Sequence, residues 1–102
     1  MLKPNVPAWF EIPVSRIDRA QKFYETILGV QLRRENMGGG EMAVFPYGGR
    51  PHASGALIQH EQLEPSVLGS TIYLNVDDLR PVLARVHEQG GDTIVPRTEL
   101  PG

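Results

Sequence analysis

In the stretch FEIPVSRIDRAQKFYETILG, residues 10–29, apolar residues first recur at every second position and then at every third or fourth position. Alternation from Ala8 to Val14 predicts a strand, because successive side chains of a strand point to opposite faces. One face is uniformly apolar and is expected to meet the core; it carries Phe10, Ile12 and Val14. The other face is mixed and carries Trp9, Glu11 and Pro13. Since proline has no N–H for a ladder, Pro13 is expected at the strand end or beside an unpaired edge.

A helix is predicted directly after this strand. Ser15 is the expected N-cap, with Asp18 three residues later, and Gly29 is the expected left-handed C-cap. Between them apolar residues recur at helical spacing and form one stripe, which consists of Ile17, Ala20, Phe23, Tyr24, Ile27 and Leu28. We expect Phe23 and Tyr24 to belong to the core rather than to a binding site.

Three further strands are predicted in the first half of the chain. They cover residues 30–35, 41–47 and 53–59, with a glycine turn at 38–40 and a loop at 48–51. The glycine turn is not a phosphate loop, because no helix or lysine follows it. Residues 60–69 form a polar connector. The histidines lie in this connector, in a loop and near a helix end, and no two of them have the spacing of metal ligands on one element.

The opening pattern then recurs at one constant offset, which indicates an internal duplication. Ile12, Val14, Ile17, Ala20 and Gly29 correspond in order to Leu74, Val76, Leu79, Val82 and Gly91. The repeat predicts a strand over 71–76, a helix that ends at Gly90-Gly91, and a strand that begins at Asp92. Asp77 or Asp78 would cap this helix, Pro81 would fall in its first turn, and its buried stripe would be Leu79, Val82, Leu83 and Val86.

These elements predict an α+β protein with one domain over residues 1–102. Its first module covers about 8–59, and its second, over about 70–102, is cut short after strand, helix and strand. The net charge of −2 offers no basic field for nucleic acid, and no stretch reaches the roughly 20 apolar residues of a membrane span. The chain has no cysteine, which excludes disulfides and thiolate chemistry and fits a cytoplasmic location.

Residues 10–29 resemble the opening module of the glyoxalase/bleomycin-resistance/extradiol dioxygenase superfamily, also called the vicinal oxygen chelate superfamily. Phe23-Tyr24 followed by Leu28-Gly29 is a strong local signature, and the stretch from Leu74 to Gly91 resembles the opening of a second module. The resemblance covers essentially the whole chain and is greatest to a bacterial branch related to lactoylglutathione lyase. It implies paired βαβββ modules whose curved sheets enclose a cavity.

Metal-dependent members of this superfamily hold a metal with histidine and glutamate on the cavity side of the strands. The resemblance places Trp9 and Thr71 at two of those positions and a third near Gly55, and it places the last ligand beyond Gly102. Tryptophan and glycine supply no side-chain ligand, and a neutral threonine hydroxyl is a poor one. We therefore expect no metal and no cofactor.

Four residues are candidates for ligand contact: Trp9, Glu11, Tyr73 and Asn75. Glu11 is also the candidate catalytic base, because burial in a pocket disfavours the charged form of a carboxylate and favours proton exchange near neutral pH. The alternative is a structural carboxylate. Trp9 would be either a stacking wall or a filler of the vacated metal position, and Tyr73 either a hydroxyl donor to a ligand or a surface residue. By strand alternation, Glu11 and Tyr73 are expected to face one common cavity.

The expected function is binding of a small organic molecule between the modules without a metal. Two alternatives remain: a metal-free, glyoxalase-related lyase or isomerase that uses Glu11, and a drug-sequestering protein of the bleomycin-resistance kind. A degenerate module without a cavity is the structural alternative. If Gly102 is the natural end, the strand near Asp92 leaves an unpaired edge, which favours a homodimer. Neither nucleic acid nor a membrane is expected as a partner.

Overall fold

The computed structural model describes residues 8–48 and 54–98. Their elements are β1 (Trp9–Pro13), α1 (Ile17–Leu28), β2 (Arg33–Met37), β3 (Gly40–Val44), β4 (Ser54–His60) and α2 (Leu79–Glu88). The four strands form one sheet in the order β1-β4-β3-β2, with β1 and β4 parallel and the other pairs antiparallel. This is the predicted βαβββ module. Most of the predicted loop at 48–51, together with His52 and Ala53, lies outside the described residues.

Strand β1 has the predicted sidedness. Phe10, Ile12 and Val14 pack against the core below α1, whereas Trp9 and Glu11 are exposed on the opposite, helix-free face. β1 is an edge strand and it ends at Pro13, which confirms the expectation for this proline because an edge position demands no N–H on its outer side.

Helix α1 has the predicted stripe but a different N-terminal cap. The N-cap position is Arg16 rather than Ser15, and its side chain makes no capping hydrogen bond. Instead the amide oxygen of Gln59, at the end of β4, accepts a 2.7 Å hydrogen bond from the N–H of Ile17. A side chain from a strand distant in sequence therefore accepts the free N–H at the start of the helix. The residues around Ser15 could not indicate this contact. Gly29 has φ 66° and is the predicted left-handed C-cap.

The hairpin strands are shifted from the predicted bounds. β2 begins at Arg33 rather than at residue 30, because Leu32 is tied to α1: its N–H donates to Glu25 and its carbonyl accepts from Gln21. β3 ends at Val44, although the N–H of Phe45 still donates to Gly55. The ladder stops there because Pro46 cannot donate.

The core lies between α1 and the sheet. Ala43 and Leu57 have no exposed surface, and Ile17, Leu32 and Phe45 are buried beside them. Phe45 contacts two further rings, Phe10 at 5.7 Å and Tyr24 at 5.9 Å between centroids. Burial raises the pKa of the Tyr24 hydroxyl. Tyr24 thus belongs to the core as predicted.

Helix α2 has the predicted cap but a poorly buried stripe. Asp78 is the N-cap, and its carboxylate accepts from the N–H of Arg80. α2 packs on α1, where Arg85 donates a 3.2 Å hydrogen bond to the carbonyl of Ile27. No residue of α2 is fully buried, contrary to the sequence-based expectation, because the helix covers α1 rather than a sheet of its own. Neither helix in the described ranges is long and apolar enough to cross a membrane.

The prediction of two strands in the second module is wrong. Residues 71–76 and 92–95 form no strand, so of the second module only the helix is present. Their sequences suit a strand, but a strand is stable only with a neighbour that bonds its backbone, and no described strand lies beside them. The offset between the copies also slips at the helix end, since the glycine with positive φ is Gly90 (88°) rather than Gly91.

Candidate functional site

Trp9 and Glu11 form a polar pair on the helix-free face of the sheet. The indole Nε1 of Trp9 donates a 3.3 Å hydrogen bond to Oε2 of Glu11, and Trp9 is 46% exposed. Glu11 is exposed as well, so the expected desolvation of this carboxylate does not occur. Glu11 is therefore available to a ligand from solvent.

The sheet register shows what surrounds this pair. Glu11 lies beside Ala56, Ala56 beside Val44 and Val44 beside Arg33, and residues in register point to the same face. Ala56 and Val44 are buried, so the row has an apolar middle with a carboxylate at one end and a guanidinium at the other. Arg33 forms a 3.0 Å ion pair with Glu35. Three strand spacings of about 4.8 Å separate Glu11 from Arg33, roughly 14 Å in all.

The residues at the expected metal positions do not fit a metal ion. Gly55 faces the helix side, where the Phe10 ring packs directly over it, so this position points away from the helix-free face. Its neighbours in β4, Ser54 and Ala56, carry no imidazole or carboxylate, and neither do Trp9 and Thr71. Nowhere in residues 8–48 and 54–98 do three or more histidine, cysteine or acidic side chains come together as ligands.

A cleft of about 1140 Å³ lies on the other side of the sheet, between the first module and residues 71–85. Phe10, Phe45, Leu28 and Val30 form its first wall; the segment 71–78 forms the second. Polar groups around it come from Ser54, Thr71, Tyr73, Asn75, Asp77, Asp78 and Arg85. An apolar cleft with a few polar groups is typical of a small-molecule site.

The structure brings together two of the four predicted contact residues, but not all four. Tyr73 and Asn75 line the cleft with Phe10, whereas the side chains of Glu11 and Trp9 lie on the opposite face of the sheet. The expectation that Glu11 and Tyr73 face a common cavity is therefore wrong. It assumed that 71–76 continues a sheet as β1 does, and this segment forms no strand. The functional roles of all four residues stay predictions.

Sequence reasoning missed three residues of this cleft. Phe10 was expected in the core and Phe45 was not singled out, yet their paired rings also form a wall of the cleft. Arg85 gave no signal at all, because its place depends on the docking of α2 against α1. One pattern indicates where an aromatic ring can lie across a sheet: a glycine that faces an aromatic residue of the neighbouring strand, as Gly55 faces Phe10.

His60 is the last residue of β4 and begins the turn that follows it. Its Nδ1 accepts a 3.1 Å hydrogen bond from the N–H of Gln62, and its carbonyl accepts from Leu63. Both bonds close the turn after β4. A smaller cavity of about 460 Å³ adjoins this turn and is lined by Glu41, Glu61 and Glu64 among others. The imidazole thus supports the turn.

Comparison with known proteins agrees with this architecture. A point mutant of glyoxalase I from Zea mays matches in structure with a TM-score of 0.58 and 20% sequence identity, which shows a shared fold. The match covers 80% of this chain but only 32% of the maize protein, so this chain spans about a third of that protein's length. No curated protein matches the sequence.

The family model described as Glyoxalase/Bleomycin resistance protein/Dioxygenase superfamily matches residues 7–101. This range contains every described strand and helix. The chain belongs to the glyoxalase/bleomycin resistance protein/dioxygenase superfamily.

Proposed function

We propose that this protein binds a small organic molecule, without a first-row metal, in the cleft between its first module and residues 71–85. The observation that carries the proposal is the cleft itself, with the tilted Phe10–Phe45 ring pair on one wall and Tyr73 and Asn75 on the other. Rings of this kind offer a face for a planar apolar body. The polar side chains would fix its orientation.

A ligand titration would test this site. Planar aromatic molecules with positive, zero and negative charge are titrated while backbone NMR signals and tryptophan fluorescence are followed. Trp9 is the only tryptophan and lies on the opposite face, so a cleft ligand shifts the signals of Tyr73 and Asn75 but leaves the fluorescence unchanged. Tyr73→Ala and Asn75→Ala should weaken binding, whereas Val67→Ala, at a 99% exposed site away from the cleft, should not. Saturable quenching of Trp9 without cleft shifts would contradict the proposal.

An enzymatic alternative uses Glu11 as a general base in a metal-free lyase or isomerase. The exposed carboxylate beside the Trp9 indole favours it, because a substrate could place a carbon-bound proton against Glu11 and its planar part against the ring. Turnover of α-oxo thioester precursors would be lost in Glu11→Gln, which keeps the shape but not the base. Turnover that survives in this variant excludes the role. The same assay tests whether the protein belongs to the branch related to lactoylglutathione lyase.

Sequestration of a drug-like molecule is the second alternative. Asp77 and Asp78 at the cleft and Glu11 beside Trp9 place carboxylates next to aromatic surfaces, which favours cationic planar ligands. Titration with the positive, neutral and negative planar molecules distinguishes sequestration of a cationic ligand from a site for neutral ligands. Tight binding of the cationic member alone, with no chemical change to it, supports sequestration.

We also propose a cytoplasmic homodimer. The absence of cysteine in the sequence supports the location, and the exposed apolar residues of the second region support the association. Ile94 is 92% exposed and Tyr73 90%. Sedimentation over a dilution series measures the association.

A further inference from the structure

Arg85 is the most sheltered arginine in the described part of the chain. It is half-buried, whereas every other described arginine is exposed. Three of the exposed ones form ion pairs with carboxylates, namely Arg33, Arg34 and Arg80, but Arg85 forms none within residues 8–48 and 54–98. Removing a cation from water costs free energy unless other groups replace the water. The surroundings of Arg85 therefore indicate what its guanidinium binds.

One contact of Arg85 is structural. Its Nη1 donates to the carbonyl of Ile27 in the last turn of α1. That turn contains no basic residue of its own, so a cation from α2 compensates the partial negative charge at this helix end. A guanidinium has five N–H groups, and this contact uses one of them. Among the described residues, Nη1 is the one nitrogen of the Arg85 guanidinium that donates to the protein. The Nε and Nη2 edge is left for a ligand.

Arg85 also lines the cleft, together with Phe10, Phe45 and Ser54 of the first module. This side of the cleft is formed by the folded sheet and by α2, whose position is fixed by its packing on α1. The Nε and Nη2 edge of a guanidinium presents two parallel N–H groups, which match the two oxygens of a carboxylate. The two phenylalanine rings offer an apolar surface for the body of the same ligand.

We propose that the cleft binds planar aromatic carboxylates and that Arg85 holds the carboxylate through its Nε and Nη2 groups. This rests on the small-molecule site proposed above and names the class of its ligand. A carboxylate fits better than a phosphate monoester, because one half-buried guanidinium balances a single negative charge, whereas a phosphate monoester carries nearly two at neutral pH.

The two acids at the cleft lie away from this guanidinium. Asp78 accepts hydrogen bonds from the N–H and the guanidinium of Arg80, so its charge is compensated at the start of α2. Asp77 precedes it and is exposed, so solvent screens its charge. Arg85 follows Asp78 by roughly two helical turns, a rise of about 10 Å. An anionic group is therefore attracted at the Arg85 end of the cleft, whereas a cationic ligand would bind at the other end.

Naphthalene derivatives of different charge test the ligand class on the wild-type chain. Anionic 2-naphthoate, neutral 2-naphthamide and cationic 2-naphthylmethylammonium are titrated while NMR signals are followed. The naphthoate should bind roughly tenfold or more tightly than the amide, because its hydrogen bonds to Arg85 are charge-assisted. It should also shift the Nε–H signal of Arg85 but not that of Arg34, whose Nε already donates to Gln21. Equal or tighter binding of 2-naphthyl phosphate would overturn the choice of a carboxylate.

Variants test the role of Arg85 itself. Arg85→Gln should weaken naphthoate binding roughly tenfold or more and leave naphthamide binding unchanged, which also shows that the cleft is intact. Arg85→Lys keeps the charge and a donor for Ile27 but not the paired N–H groups, so it should recover only part of the naphthoate affinity. Arg19→Gln removes an exposed charge outside the cleft and should bind naphthoate like the wild type.

The outcomes separate this inference from the site on which it rests. If none of the naphthalenes shifts the signals of the cleft residues, the small-molecule site is refuted. If the amide or the ammonium binds as tightly as the naphthoate, or if the Nε–H signal of Arg85 stays in place, the cleft remains a binding site but the carboxylate assignment is wrong. If Arg85→Gln loses both ligands because α2 no longer docks on α1, the wild-type titration and Arg85→Lys decide.

Discussion

The two copies of the opening pattern fold differently, although their sequences match. In the first copy, residues 9–37 form a strand, a helix and a strand, and in the second, residues 71–95 form only the helix. β1 has β4 beside it, in register from Trp9 with Ser54 to Pro13 with Ile58. Residues 71–76 have no such neighbour in the described structure.

The difference follows from where each element finds its hydrogen bonds. A helix bonds its backbone within itself, so α2 forms once Asp78 caps it and α1 offers a surface. A strand needs a second strand, however well its own side chains alternate. A sequence pattern therefore indicates a helix more directly than a strand, because a strand also requires a neighbouring strand that the pattern does not reveal.

The largest expected effect sharpens the contrast between a covered core and an uncovered helix. Leu57→Ala should lower the free energy of unfolding by about 2–5 kcal/mol, because Leu57 is fully buried between the sheet and α1. Val82→Ala, on the half-buried stripe of α2, should cost about 1 kcal/mol or less. Urea unfolding measures both. Equal losses would mean that the second region is as tightly packed as the first.

The next effect compares two glycines. A methyl group on Gly55 would collide with the Phe10 carbonyl and ring, so Gly55→Ala should cost about 1–3 kcal/mol and disturb the Phe10–Phe45 wall. A methyl on Gly91 would meet only side chains, those of Val86 and Phe23, which can move. Gly91→Ala should therefore cost less. Gly69→Ala is the control, since nothing lies near its added methyl. A larger loss of thermal stability in Gly91→Ala than in Gly55→Ala would contradict this comparison.

Most of the first module could be predicted from sequence, because its signals are local. The sidedness of β1, the stripe of α1 and the C-cap at Gly29 depend only on neighbouring residues, as does the cap of α2 at Asp78 in the second region. The shifted start of β2 depends on Glu25 and Gln21 reaching across to Leu32, which no pattern in residues 30–35 reveals.

The candidate site was predicted less well, because it depends on how separate elements meet. Tyr73 does line a cleft, but Glu11 does not share it, since 71–76 is not aligned with β1 in a sheet. Arg85 enters the cleft through contacts between two helices. Geometry between elements is set by the whole fold, and residue spacing along one strand does not contain it.

A smaller effect distinguishes the two ways in which the helices are capped. Gln59→Ala should cost about 1 kcal/mol, because the N–H of Ile17 loses its acceptor at the start of α1. Gln59→Glu keeps an acceptor oxygen at that position and should recover most of the loss. α2 is capped by its own Asp78 and should not respond, so hydrogen exchange should rise in the first turn of α1 alone. Equal exchange in both helices would show that Gln59 supports the whole fold instead.

The smallest effect is a pH dependence confined to the first module. The N–H of Leu32, followed by the amide of Gln21, donates to the Glu25 carboxylate and holds its pKa below the ordinary value of 4.5. A lowered pKa in the folded state means that the carboxylate stabilises the fold above that ordinary value, and that this contribution is lost as the pH falls through the folded pKa. Glu25→Gln should thus be less stable than the wild type at pH 7, and the difference should shrink on acidification below pH 4.5. Asp78→Asn is the matched variant in the second region. A hydrogen bond from the Arg80 side chain lowers the pKa of Asp78 too, but solvent screens this surface pair, so its pH dependence should be weaker. Urea unfolding between pH 3 and 7 checks both variants, and a Glu25→Gln difference that stays constant over this range would show that the Leu32 contact does not depend on the charge of Glu25.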